Sequence, residues 1–164
     1  MWPTLHQFLS GTRFKAALMA AMLLLGAVSC AVREPDAVAG TWVITEAIVP
    51  GQSSLSTEEA DAWLGQSFHY GTENLTLGRT SCASAHYEET KTSAAEFKQH
   101  YDTELKALNI YDDSIQSISV SCDGQSPMPG QTILLSASGH TYTVWDGVFF
   151  KMEKTVPQTQ SAVI

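Results

Sequence analysis

Along most of the chain beyond residue 40 apolar and polar positions alternate with a period of two, and in two places they switch to a spacing of three and four. Residues 42–49 are rich in β-branched side chains (Val43, Ile44, Thr45, Ile48, Val49) and are stopped by Pro50-Gly51, which predicts a first strand. Phe68 and Tyr70 alternate, Leu75 and Leu77 alternate after a polar stretch at 71–74, and Tyr87 sits in a further short segment beyond Cys82. These read as three modest strands. Farther on, Ile118, Val120 and Cys122 alternate, residues 123–130 turn, and Ile133-Leu134-Leu135 reads as a strand buried on both faces. Ser138-Gly139-His140 suggests a hairpin. Residues 142–145 and 148–152 follow as two more strands on either side of Asp146-Gly147, a dipeptide suited to tight β-hairpins.

The two interruptions are helical. Ser56-Thr57-Glu58-Glu59 has the form of a capping box, Gly65 stands where a C-terminal cap belongs, and Ala60, Trp63 and Leu64 would share a packing face, so a short helix is predicted over 57–64. A second box, Ser93-Ala94-Ala95-Glu96, opens a longer helix over 93–108 with Phe97, Tyr101, Leu105 and Leu108 on one side and Lys98, Asp102 and Lys106 away from it; Asn109 can end it. The fold class is therefore mainly β, α+β in detail. An antiparallel sheet of about eight strands curls into a small barrel, with the two helices packed against it or capping its ends. A more open α+β sandwich is the alternative. Trp42, Ile44, Phe68, Leu75, Leu77, Phe97, Leu105, Ile118, Val120, Leu135, Trp145 and Phe149 should supply much of the core. One domain over 40–155 accounts for the pattern, and residues 156–164 are a polar, aperiodic tail.

The N-terminal segment has a different character. Residues 16–29 are apolar or small, follow Arg13 and Lys15, and end in small residues, the shape of a secretory signal peptide over 1–29. An uncleaved membrane anchor would need roughly 20 apolar residues to cross as a helix. Gly26-Ala27-Val28-Ser29-Cys30 resembles the lipobox of bacterial lipoproteins, with Ala27 where that family usually has Leu. The resemblance implies acylation of Cys30, a tether over 30–39, and a location in the cell envelope facing the periplasm, held to a membrane by lipid. Cleavage by the ordinary signal peptidase after Ser29 or Ala31 would instead leave a soluble periplasmic protein. Cysteine parity points the same way: lipidation of Cys30 leaves Cys82 and Cys122 as a pair for a disulfide in an oxidising compartment.

Charge narrows the partners. The chain has 9 Lys and Arg against 17 Asp and Glu, and loss of Arg13 and Lys15 with the leader brings the net charge to about −10. With no basic cluster to offset that excess, nucleic acid is not an expected partner. Gly40-Thr41-Trp42 resembles the Gly-x-Trp that opens lipocalin-like barrels, in which the Trp plugs the closed end and a late Arg stacks on it; in this chain the last strand offers Lys151 and Lys154. The resemblance implies an architecture over residues 40–155 and transfers no ligand residues.

Chemistry is sparse. Cys82 with His86 could pair a thiol with an imidazole, but disulfide formation is the simpler use of Cys82. His69, His86, His100 and His140 lack the close spacing of a zinc site, although His86 and Glu88 would share a strand face with His69 or His140 as a third ligand. The pairs Glu58-Glu59, Glu88-Glu89 and Asp112-Asp113 point their members in different directions. There is neither a phosphate-cradling glycine loop nor a Gly-x-Ser-x-Gly elbow in the mature chain. The expectation is a non-enzymatic envelope lipoprotein, without cofactor or metal, that binds a small apolar ligand or another envelope component. An apolar cavity inside the barrel would favour the ligand. A filled interior would leave surface recognition, as in a protein-binding or inhibitor module, with Trp145, Phe149 or Phe150 marking the interface. A hydrolase or metal-dependent enzyme using His86 with Cys82, Glu88 or His140 is the remaining alternative.

Overall fold

The β-branched run after Gly40 forms the first strand, β1 (Gly40–Ile48), and the rest of the sheet is built outward from both of its edges. In the computed structural model the described residues are 37–71, 75–82, 85–122 and 126–155. The predicted signal peptide, Cys30, most of the tether, the tail 156–164 and parts of the turns at 72–74, 83–84 and 123–125 lie outside them. On one side of β1 come β2 (Ser67–Tyr70), β3 (Leu75–Leu77) and β4 (Thr80–Cys82); on the other come β9 (Val148–Lys154), β8 (Thr141–Trp145), β7 (Thr132–Leu135), β6 (Ser114–Cys122) and β5 (Ala85–Ser93). All pairings are antiparallel. The nine strands curl into a half-barrel. Because β9 returns to pair with β1, each strand neighbours the next around a ring, and among the described residues the ring is interrupted only between β4 and β5.

Period-two alternation sends one set of side chains into the curl and the other outward. The inner set merges into one cluster that includes Trp42, Ile44, Phe68, Tyr70, Leu75, Leu77, Ile118, Val120, Ile133, Phe150 and Met152. Burying an aliphatic or aromatic side chain of this kind contributes roughly 1.5–3 kcal/mol, so this cluster dominates the stability of the sheet. The outer face of β6 to β9 makes a second cluster, with Ile115, Leu134, Tyr142 and Phe149 on the sheet and Phe97, Leu105, Leu108 and Ile110 covering them. Ile133 and Leu134 therefore face different cores, as a strand buried on both faces requires. Among the described residues, buried side chains run from Val38 to Met152, within the compact unit Val32–Ile164.

Both capping boxes form. Ser56 opens α1 (Thr57–Asp61) and Ser93 opens α2 (Ala94–Tyr101), each with its Glu reaching back to the cap residue. The first helix is shorter than the predicted 57–64 span: beyond Asp61 the chain tightens into turns, with Trp63 N–H donating to the Ala60 carbonyl, and Leu64 ends 42% exposed rather than packed. The second prediction, one helix over 93–108, is corrected. Asp102 adopts a left-handed conformation (φ 50°) that ends α2, and a separate 3-10 turn, Leu105–Leu108, follows and ends at left-handed Asn109 (φ 57°). Asp and Asn tolerate this region better than most residues. The break lets Leu105, Leu108 and Ile110 reach the same outer patch that Phe97 covers.

Three other differences follow from burial. The segment around Tyr87 is not a modest strand but a nine-residue one, β5, whose polar run Glu88 to Thr92 lacks alternation because it lies at the sheet edge, exposed on both faces. Leu135 and Trp145 are half-buried rather than core, while Tyr70, Tyr142, Ile110, Ile115 and Phe150 are core residues that were not expected. The predicted turns hold: Asp146 (φ 49°) and Gly147 (φ 84°) turn β8 into β9, and Ser136 N–H donates to the His140 carbonyl across the β7–β8 hairpin.

Candidate binding site

Among the described residues, buried side chains pack the interior of the curl. Tyr70 crosses it from β2 to donate its hydroxyl to the Gly130 carbonyl at 2.7 Å, and the Gly130 N–H donates to Thr143 Oγ1 at 3.1 Å. Burial pushes the Tyr70 hydroxyl well above the ordinary phenol range, with the neighbouring Tyr87 adding to the shift. Near Gly40, Trp42 Nε1 donates to the Val38 carbonyl at 2.8 Å and Lys154 Nζ lies 5.6 Å from the centre of the Trp42 ring, a cation–π contact.

An open groove of about 380 Å³ lies where the turn after α1 meets the β3–β4 hairpin and the segment before β7. Local chemistry builds each wall. The capping box fixes the start of α1, and the chain beyond it is tied to β1 by Gly65 N–H to the Ile44 carbonyl (2.9 Å) and Ile44 N–H to the Gln66 carbonyl (3.0 Å). These bonds hold Trp63 half-buried, 6.4 Å from the ring of Phe150. Gly78, left-handed at φ 60°, turns β3 into β4 close to Trp63, and a Cβ there would lie 3.7 Å from that ring. Met128 N–H donates to Gln131 Oε1 at 2.8 Å, which positions Met128 and Pro129 as the third wall. The lining is mainly apolar, and exposed Arg79 supplies its positive charge.

Most other described cations are committed elsewhere. Lys98 and Lys106 hold Glu104 at 2.8 and 2.5 Å, and their hydrogen bonds, Lys106 first, pull its carboxyl down to about 2. Lys151 lies 3.9 Å from Glu153, and Lys154 covers Trp42. Arg79 makes no ion pair with a described residue.

No protein-family model, curated protein or solved structure matches the chain. The site therefore has to be read from its own residues.

The residues singled out from the sequence do not converge. Cys30 lies outside the described residues, as does the side chain of Cys82 at the end of β4. Cys122 is buried at the end of β6, opposite Ala85 in the register, and its sulfur is disulfide-bonded. His69 Nδ1 lies 3.0 Å from Thr41 Oγ1, His86 is opposite Ser121 on β5, His100 stacks edge-on against Tyr101, and His140 sits in the turn with Ser136 and Ser138. Among the described residues no three His, Cys, Asp or Glu side chains gather as a metal-binding group, so His86 and Glu88 acquire no third ligand there. Glu89 accepts a hydrogen bond from Gln116. Phe149 and Phe150 cannot mark an exposed interface: both are buried, Phe149 under α2 and Phe150 inside the curl. Trp145 is half-buried against the inner cluster.

The groove was not legible in the sequence. Trp63 reads there as a helix packing residue, Met128 and Pro129 as turn, and Leu77 as core, and no local pattern connects segments that lie some 50 residues apart in the chain.

Proposed function

We propose that this chain is an exported, lipid-anchored protein of the bacterial envelope whose lipocalin-like domain binds a small apolar ligand in the groove beside Trp63, not inside the barrel. The observation that carries the reading is the contrast between a side-chain-filled interior and an apolar groove of about 380 Å³, within the ~300–1,000 Å³ of small-molecule sites. Lys154 over Trp42 supports the lipocalin-like architecture, since it fills the role of the late Arg in that family. The signal peptide over 1–29, the acylated Cys30 and the periplasmic location rest on the lipobox-like leader.

The Cys82–Cys122 disulfide belongs to the same reading. It is supported by the bonded sulfur of Cys122 and by the register, which sets Ala85, three residues beyond Cys82, directly across from Cys122. Such a bond would staple the interruption between β4 and β5. Closing a loop of about 40 residues contributes roughly 4 kcal/mol in the chain-entropy estimate.

Native mass spectrometry tests the proposal in two preparations. The full chain, expressed with its leader, should lose residues 1–29 and gain acyl mass at Cys30; an intact leader overturns the anchor. Residues 31–164, exported to an oxidising periplasm, should carry an organic mass that is lost on denaturation, and the denatured, unreduced chain should weigh two hydrogens less than the reduced one. A bare domain that co-purifies with another protein would replace ligand binding by protein recognition.

A further inference from the structure

The groove joins two features: walls of Trp63, Leu77, Met128 and Pro129, and a guanidinium, that of Arg79, without a carboxylate partner among the described residues. In a chain with 17 acids and 9 bases, a cation has ample choice of partners, and Lys98, Lys106 and Lys151 have each taken a carboxylate, whereas Arg79, like Lys91, pairs with none of the described ones. A guanidinium presents a planar fork of donors matched to an oxyanion, and it binds most strongly where water is partly excluded. Gly78 and Thr80, which flank Arg79, also line the groove, so the hairpin tip carries the charge to the mouth of the apolar walls.

We infer that the ligand is a single-chain anionic amphiphile, its chain laid against Trp63, Leu77, Met128 and Pro129 and its head held by Arg79. This inference rests on the ligand-binding reading of the same groove. Size accommodates one chain: about 380 Å³ is at the small end of ligand sites. A folded protein partner is disfavoured for a related reason, since a stable protein interface covers ~800 Å² on each side, far more than this lining provides. Charge sets the head: with a neutral or cationic head, Arg79 would be partly desolvated without compensation.

Binding of decanoate and of decanol to residues 31–164, each below its aggregation threshold, is followed by the fluorescence of Trp63, with Trp63→Phe as the control that removes the signal. Decanoate is expected to bind about tenfold more tightly than decanol, and added salt should narrow the gap. Arg79→Gln should abolish the difference by weakening decanoate, and Ala62→Trp, at an exposed lining position, should weaken both by filling the groove. Equal affinity for the two probes, or an Arg79→Gln variant that still prefers decanoate, overturns the anionic head and leaves the apolar groove standing. Failure of both probes to bind overturns the groove as a ligand site altogether.

Discussion

Gly130 shows how much a single position can decide. Its backbone is left-handed (φ 93°), its carbonyl and N–H are both used by Tyr70 and Thr143, and a Cβ on it would lie 2.7 Å from Phe68 Cδ1. Gly139 has a similar φ of 89°, yet a Cβ there meets nothing within 4 Å. The pair separates backbone strain from overpacking. Gly139→Ala should cost about 1 kcal/mol, the penalty for a left-handed residue with a side chain. Gly130→Ala should cost roughly 2–4 kcal/mol, because the Phe68 ring has to move as well. Urea unfolding of both variants measures the difference, and equal losses would mean that the packing around Phe68 is loose enough to give.

Among the elements, α2 depends most visibly on its ends. The Ser93 hydroxyl accepts the Glu96 N–H, and Glu96 Oε2 accepts both the Ser93 N–H and the Ser93 hydroxyl. Those bonds, the hydroxyl's first, hold the Glu96 carboxyl below the usual carboxylate range. Ser93→Ala should destabilise the domain by about 1 kcal/mol at neutral pH. The sign of the pH effect follows from the lowered carboxyl: the cap is at full strength above the ordinary carboxylate pKa and weakens as acid protonates Glu96. An NMR titration should therefore find Glu96 returning toward the ordinary value in Ser93→Ala. An unchanged titration would show that the carboxylate finds another donor. The break at Asp102 belongs to this scale too, since an uninterrupted helix would carry Leu105 and Leu108 along the α2 axis instead of back over Leu134 and Tyr142.

At the scale of the molecule, the interruption between β4 and β5 is bridged by side chains rather than by a ladder. Tyr70 reaches the Gly130 carbonyl before β7, and Tyr87 on β5 reaches the Gly71 carbonyl after β2 at 3.5 Å. Tyr70→Phe should therefore cost about 1–2 kcal/mol, most of it from a buried carbonyl left without a donor. Tyr70 also makes the fold sensitive to alkali. Because its hydroxyl keeps its proton in the folded state well beyond the ordinary phenol pKa, an unfolded chain releases protons first above about pH 10, and stability falls as pH rises. Tyr142 and Tyr101, raised by burial, act in the same direction. Unfolding followed from pH 8 to 11 should show the decline, and Tyr70→Phe should make it shallower; an identical slope in the variant would assign the effect to the other two tyrosines.

By itself the sequence determined what depends on neighbours close in the chain: both capping boxes, the Asp146-Gly147 turn, the alternating strands, and a mainly β fold with ten of the twelve anticipated core residues buried. These are local choices of dihedral angle and of face, and a few residues suffice to encode them. Only the tertiary structure decided the rest. Polar β5 is a strand because β6 offers it a nine-residue ladder, and the outer cluster exists because α2 and the 3-10 turn fold back over β6 to β9. The groove is the furthest from being readable, since Trp63, Leu77 and Met128 approach one another only after the sheet has curled, and tertiary packing alone sets distances between residues so far apart in the chain.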